Sequence, residues 1–143
     1  MSYNVNDIAN KLIRKASTSD GGELISNLKL QKLLYYVQGF HLAYFDRCLF
    51  DEDIEAWQYG PVVPPVYHKY KGYGYSGLSF QGEIIELEQE EENLFNQVFN
   101  VYGEFSAIGL MNLTHKESPW CTTEEGDVIP KEKLKEYFKT RLK

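Results

Sequence analysis

Two cysteines and three histidines are the side chains on which a zinc site or thiol–imidazole catalysis would draw: Cys48, Cys121, His41, His68 and His115. Zinc sites bring their ligands in close local pairs, such as Cys-x-x-Cys. Here no two of the five lie within four residues of each other. The spacing predicts no metal centre and no metal cofactor. It leaves both cysteines as small core residues, since a reducing compartment disfavours a disulfide. His41 shares a helical stripe with Leu34, Val37 and Phe45, which predicts a hydrogen-bonded core histidine. Its alternative role, a catalytic base, lacks a nucleophile or carboxylate placed to work with it. Asp51-Glu52-Asp53 lacks the alternate spacing and central glycine of a calcium loop and is expected to be a solvated turn. Gly72-Tyr-Gly74-Tyr-Ser-Gly77 matches G-x-G-x-x-G literally. A dinucleotide fingerprint requires a strand before it and a helix after it, and neither flank reads that way. It is expected to be a surface loop that binds no nucleotide.

The elements that must position these residues belong to an ordinary globular chain. Of 143 residues, 43% are hydrophobic and 25% charged, with a net charge of −6. That length can build one core without metal or disulfides. The negative charge disfavours nucleic acid and anionic membranes as partners, and no apolar run is long enough to span a bilayer. The start, Met1-Ser-Tyr-Asn-Val-Asn-Asp7, does not read as a secretion signal, so a cytoplasmic location is expected. Charge is uneven: residues 72–115 hold seven acids and no Lys or Arg, with six of the acids between Glu83 and Glu92. These acids fit a helix N-terminus, with a docking surface for a basic partner as the alternative. Tyrosine is heavily used, 11 against 8 Phe and 2 Trp, which suits half-buried positions and interfaces.

Helical spacing of Val5, Ile8, Ala9, Leu12, Ile13 and Ala16 predicts a first helix capped by Asn4, ending in a break over Ser17–Gly22. A second helix runs from about Asn27 to Phe45. Leu30, Leu33, Leu34 and Val37 lie on its apolar stripe, and apolar or aromatic residues on most sides make it the central helix. Lys29 and Lys32 share one row and Gln31 and Tyr35 another; both rows are expected to be exposed. Ile54–Gln58 reads as a short strand, Gly60-Pro61 as a bend, and Pro64-Pro65 as the opening of a short helix. A helix through Leu94–Phe105 follows, then one capped by Ser106. Thr114-His-Lys-Glu117 has the pattern of a capping box. Gly126–Ile129 is a candidate second strand, and Pro130 opens the last helix, with Leu134, Tyr137 and Phe138 inside. The prediction is a mainly α bundle of five to seven helices with at most one small β pairing, over residues 1–143 as a single domain.

Three segments carry a family resemblance: Asn27-Leu-Lys-Leu-Gln-Lys-Leu-Leu-Tyr-Tyr36, Glu55-Ala-Trp-Gln-Tyr-Gly-Pro-Val-Val-Pro-Pro-Val-Tyr67 and Thr114-His-Lys-Glu-Ser-Pro-Trp120. In order and spacing the chain resembles the Panacea antitoxin domain, a family of SocA-like and phage-associated GepA-like proteins. The resemblance implies a non-enzymatic, protein-binding antitoxin that neutralises a cognate toxin by direct contact. It also implies an alternative, an adaptor that delivers a toxin to a protease, or a phage or mobile-element regulatory protein without a toxin. No catalytic residue, cofactor or metal is implied. Beside these motifs, Lys29, Gln31, Lys32, Tyr35 and Tyr59 are the expected partner-binding residues. Leu30, Leu33, Leu34, Trp57, Gly60, Pro61 and Trp120 are expected to specify the fold.

Overall fold

A computed structural model describes residues 2–19, 22 and 24–142. Met1 and the Asp20-Gly21 part of the expected break lie outside the described residues. The described residues form seven α-helices and a two-stranded sheet, as the hydrophobic periodicity predicts. The helices are α1 Val5–Thr18, α2 Asn27–Phe45, α3 Pro64–Tyr70, α4 Gln89–Tyr102, α5 Ala107–Thr114, α6 Ser118–Cys121 and α7 Lys131–Lys139.

Local chemistry sets most boundaries. The Asn4 side chain accepts from the Asn6 N–H to open α1, and Ser26 accepts from Lys29 N–H to open α2. Each satisfies an amide that has no partner within the helix. Asp46, at φ 61°, closes α2 in the left-handed conformation, its N–H bonded to Leu42 O. Ser106 accepts from Gly109 N–H at 2.9 Å and caps α5. The α4 N-terminus carries Glu90, Glu91 and Glu92, which complement its dipole.

Helix α2 is the axis of the fold. Sixteen of its residues, Asn27 and Lys29 through Ala43, are buried. Helices α1, α3, α4, α5 and α7 all pack on it, as does one strand. Leu30, Leu33 and Leu34 are fully buried within one contiguous hydrophobic cluster that also takes in α1, α4 and α7. Leu34→Ala is therefore expected to cost about 2–5 kcal/mol, read by chemical denaturation. A loss below about 1 kcal/mol would be surface-like and would contradict the packing.

The small sheet differs from expectation. Strand β1, Glu55–Trp57, pairs antiparallel with β2, Gly60–Val62, through a turn at Gln58-Tyr59. Gly60-Pro61 is thus the start of a strand rather than a bend. Gly60 reaches φ +111°, and a Cβ there would lie 2.6 Å from Lys32 Cε. Only glycine fits both conditions. The Gly126–Ile129 segment lies along the other edge of β1 as an isolated bridge, Glu55 with Val128. It is tied on by Ala56 N–H to Asp127 O and Ile129 N–H to Ile54 O. The expected capping box is also absent. Thr114 ends α5, donating to Met111 O, and Glu117 turns inward to accept from two tyrosines. Residues 72–77 pass from a 3-10 turn into an irregular segment with no strand before it.

Candidate partner-binding face and the polar seam beneath it

The two polar rows of α2 are buried, which corrects the expectation that they face solvent. Gln31 is 1% exposed, Lys32 and Tyr35 0%, and Lys29 7%. The cause is α2's central place: neighbours pack all round it, so no row is left for water. Lys29, Gln31 and Lys32 instead meet backbone groups that need partners away from water, and Tyr35 meets a buried carboxylate. Gln31 donates to Asn27 Oδ1 at 2.8 Å and accepts from Val63 N–H at 2.9 Å, while Asn27 donates to Tyr67 O. This amide pair, one helical turn apart, joins α2 to α3 and to the end of β2. Lys29 donates to Gly103 O at 2.7 Å and ties down the end of α4. Gln38 donates to Phe50 O and accepts from Leu49 N–H.

Two carboxylates complete this seam: Glu117, expected in a capping box, and Glu91, expected among the acids of a helix N-terminus. Glu117 accepts from Tyr35 OH and Tyr36 OH, both at 2.9 Å. Burial raises its pKa against the opposing pull of those two bonds. Burial, followed by the charge of Glu117, raises both phenols as well. The Tyr36 ring stacks on Tyr102 at 3.9 Å. Glu91 is the second carboxylate, 2.6 Å from His41 Nε2 and bonded by Tyr3 OH at 2.6 Å and Arg47 at 3.2 Å. Burial pushes its pKa up, but the bonds from Tyr3 and His41 and the Arg47 charge outweigh burial and leave it lowered. A carboxylate thus does stand beside His41, contrary to the sequence reading. The other ring nitrogen, Nδ1, lies 2.8 Å from Arg47 O, so both imidazole nitrogens are occupied. Among the described residues, no group of three or more His, Cys, Asp or Glu side chains could hold a metal ion.

Lys32 is the most deeply buried cation of the seam, at 0% exposure. Its Nζ donates to Pro61 O at 3.3 Å beneath the hairpin, and burial alone pushes its pKa down to about 7. Helix α2 thereby grips the hairpin from below, through Lys32 to Pro61 and Gln31 to Val63. From the side, Trp120 Nε1 donates to Trp57 O at 2.8 Å. Two groups of rings flank the hairpin: Trp57 meets Tyr67 at 4.9 Å and His68 at 6.2 Å, and Trp120 stacks on His115 at 4.1 Å. Tyr59, at the hairpin tip, is 59% exposed. Of the five expected contact residues it alone lies on the surface; the other four support the elements beneath. The arrangement offers an ordered, amphipathic aromatic face of a kind suited to protein contact.

The model of the family described as antitoxin SocA-like, Panacea domain, matches residues 30–121. The chain belongs to this family. Antitoxin SocA of Caulobacter vibrioides is 42% identical over 132 residues, an alignment covering 83% of this chain and 69% of the relative. No solved structure matches. The Panacea match takes in α2 from Leu30, the hairpin, Glu117 and Trp120. It leaves α1 and α7 outside, although both pack on α2. Among the described residues, no helix is long and apolar enough to cross a membrane.

Proposed function

We propose that this chain is a non-enzymatic antitoxin, acting as one domain in the cytoplasm, that neutralises a cognate toxin by direct protein contact. Family membership and similarity to antitoxin SocA support the antitoxin role. The observation that carries the contact reading is Tyr59, more than half exposed at the tip of a hairpin fixed from two sides. A rigid aromatic anchor loses little entropy on binding, and such anchors dominate interface energies. Lys29, Gln31, Lys32 and Tyr35 serve this surface from beneath, as positioning residues for the hairpin and its supports. The partner is a protein, and neither nucleic acid nor membrane is part of the reading.

Co-expression with the product of the adjacent reading frame tests this. The wild-type chain should restore growth while toxin abundance stays unchanged. Tyr59→Ala should lose the rescue while keeping its melting temperature, because an exposed tip residue adds little to stability. Rescue accompanied by falling toxin abundance, and lost when a host protease is deleted, would contradict neutralisation and establish the protease-adaptor alternative.

A further inference from the structure

Trp57 offers the strongest class of ring for holding a cation, yet no cation among the described residues lies over it. Among the described residues, the cations lying over rings are Lys11 at Phe95, Arg47 at Phe45 and Lys69 at Tyr70. None lies over Trp57. Lys69 is next in sequence to His68, and its ammonium is directed over Tyr70 instead. The indole nonetheless has a carboxylate in place: Trp57 Nε1 donates to Glu55 Oε1 at 3.0 Å, which fixes the carboxylate beside the ring. That bond uses one oxygen of Glu55 and leaves the other for an incoming donor. Tyr67 meets Trp57 edge-on at 4.9 Å with an interplanar angle of 68°. The two half-buried rings make two walls of a corner, with the acid at one edge. Exposed Tyr59 stands at the hairpin tip, two residues along the chain from Trp57.

We propose that this corner, built of Glu55, Trp57 and Tyr67, receives an arginine side chain of the protein partner. The guanidinium is flat enough to lie on the indole face, and its fork can pair with the free carboxylate oxygen while stacked. A lysine ammonium would meet the ring as a point charge and could not do both as well. The surroundings fit a cation. Exposed Glu124, Glu125 and Asp127 belong to the segment bonded along the edge of β1, and the whole chain carries −6. This proposal rests on the reading of the hairpin as the partner-binding face, and it specifies the chemistry that face accepts.

The test needs no toxin. The chain has two tryptophans, hence two indole N–H resonances, and Trp57→Phe assigns them. Titrating a blocked Gly-Arg-Gly amide into the ¹⁵N-labelled full chain should shift the Trp57 indole signal saturably and leave that of Trp120 in place. The same peptide with citrulline, which keeps the shape and loses the charge, should produce no saturable shift. Glu55→Gln should weaken the arginine peptide by about 5–10-fold. An equal response to citrulline, or unchanged affinity in Glu55→Gln, would overturn the proposal. A toxin that binds the wild type and Glu55→Gln equally would overturn the arginine corner alone. A toxin that binds neither would overturn the antitoxin reading and leave the peptide result standing.

Discussion

Lys32→Met is expected to stabilise the protein at pH 7 by about 1–3 kcal/mol, a gain that should vanish by pH 9.5. Lys32 is fully buried, and burial moves its pKa from 10.5 in the unfolded chain to about 7. One pKa unit is worth about 1.4 kcal/mol, so at pH 7 burial of this amine costs about 4 kcal/mol. Methionine matches the stem in size and removes that cost. It also leaves the Pro61 carbonyl without its donor, which returns about 1–3 kcal/mol. Between pH 7 and 10.5 the unfolded lysine holds its proton more firmly than the folded one. Wild-type stability therefore gains from Lys32 as pH rises through that window, and the penalty is complete below the folded value near 7. Above about pH 10 the trend reverses, because Tyr35 and Tyr36 have raised pKa values and the unfolded phenols ionise first. Urea denaturation of both proteins from pH 6 to 9.5 isolates the lysine as the difference between two curves. That difference should shrink by about 3 kcal/mol from pH 7 to 9.5. Parallel curves would contradict a buried, uncompensated amine.

Gly39→Val is expected to cost about 3 kcal/mol or more, at the upper end of overpacking effects. A Cβ at Gly39 would occupy the space of the Phe138 ring. That ring is fully buried and held on several sides, by Phe40 at 4.8 Å, Tyr35 at 5.3 Å and Tyr36 at 6.0 Å. It has nowhere to retreat without moving α7 off α2. The two positions should therefore be coupled. In a double-mutant cycle with Phe138→Ala, the combined loss should fall short of the sum of the single losses by at least about 1 kcal/mol. Additive losses would show that the helices approach each other differently.

Hydrophobic periodicity made α1 and α2 legible, and punctuation by Ser106 and Pro130 located the starts of α5 and α7. The same pattern held a warning about the polar residues of α2. A helix with apolar or aromatic side chains on most sides has no solvent face, so Asn27, Lys29, Gln31, Lys32 and Tyr35 had to be inside. The i, i+4 spacing of Asn27 and Gln31 was the local sign of an internal amide pair. Nothing local identified their other partners. Gln31 meets Val63, Tyr35 meets Glu117, and His41 meets Glu91, 50 residues away. Such pairings depend on how the helices pack, which spacing within one segment does not encode. The Thr114–Glu117 pattern misled for the same reason: two buried phenols took the carboxylate that a local cap would have used. The sheet was misread because Gly60-Pro61 fits both a bend and a strand entered at positive φ. Close contact with Lys32 selects the strand. Tyr59 was legible as a candidate because it lies inside the Glu55–Tyr67 motif segment and is an aromatic suited to contact, and it stands 59% exposed.

The buried polar seam is expected to be structural, with contact made by the exposed hairpin tip above it. Calorimetric titration of the adjacent-gene toxin into the wild type, Tyr59→Ala and Gln31→Leu tests this most directly. The wild type should bind saturably at one-to-one stoichiometry. Tyr59→Ala should bind at least about tenfold more weakly with unchanged stability, as expected for an interface anchor. Gln31→Leu should lose about 1–3 kcal/mol of stability through the unpaired Val63 N–H. Toxin affinity unchanged in Tyr59→Ala, with Gln31→Leu as stable as the wild type, would place the contact away from the hairpin tip and deny the seam its structural role.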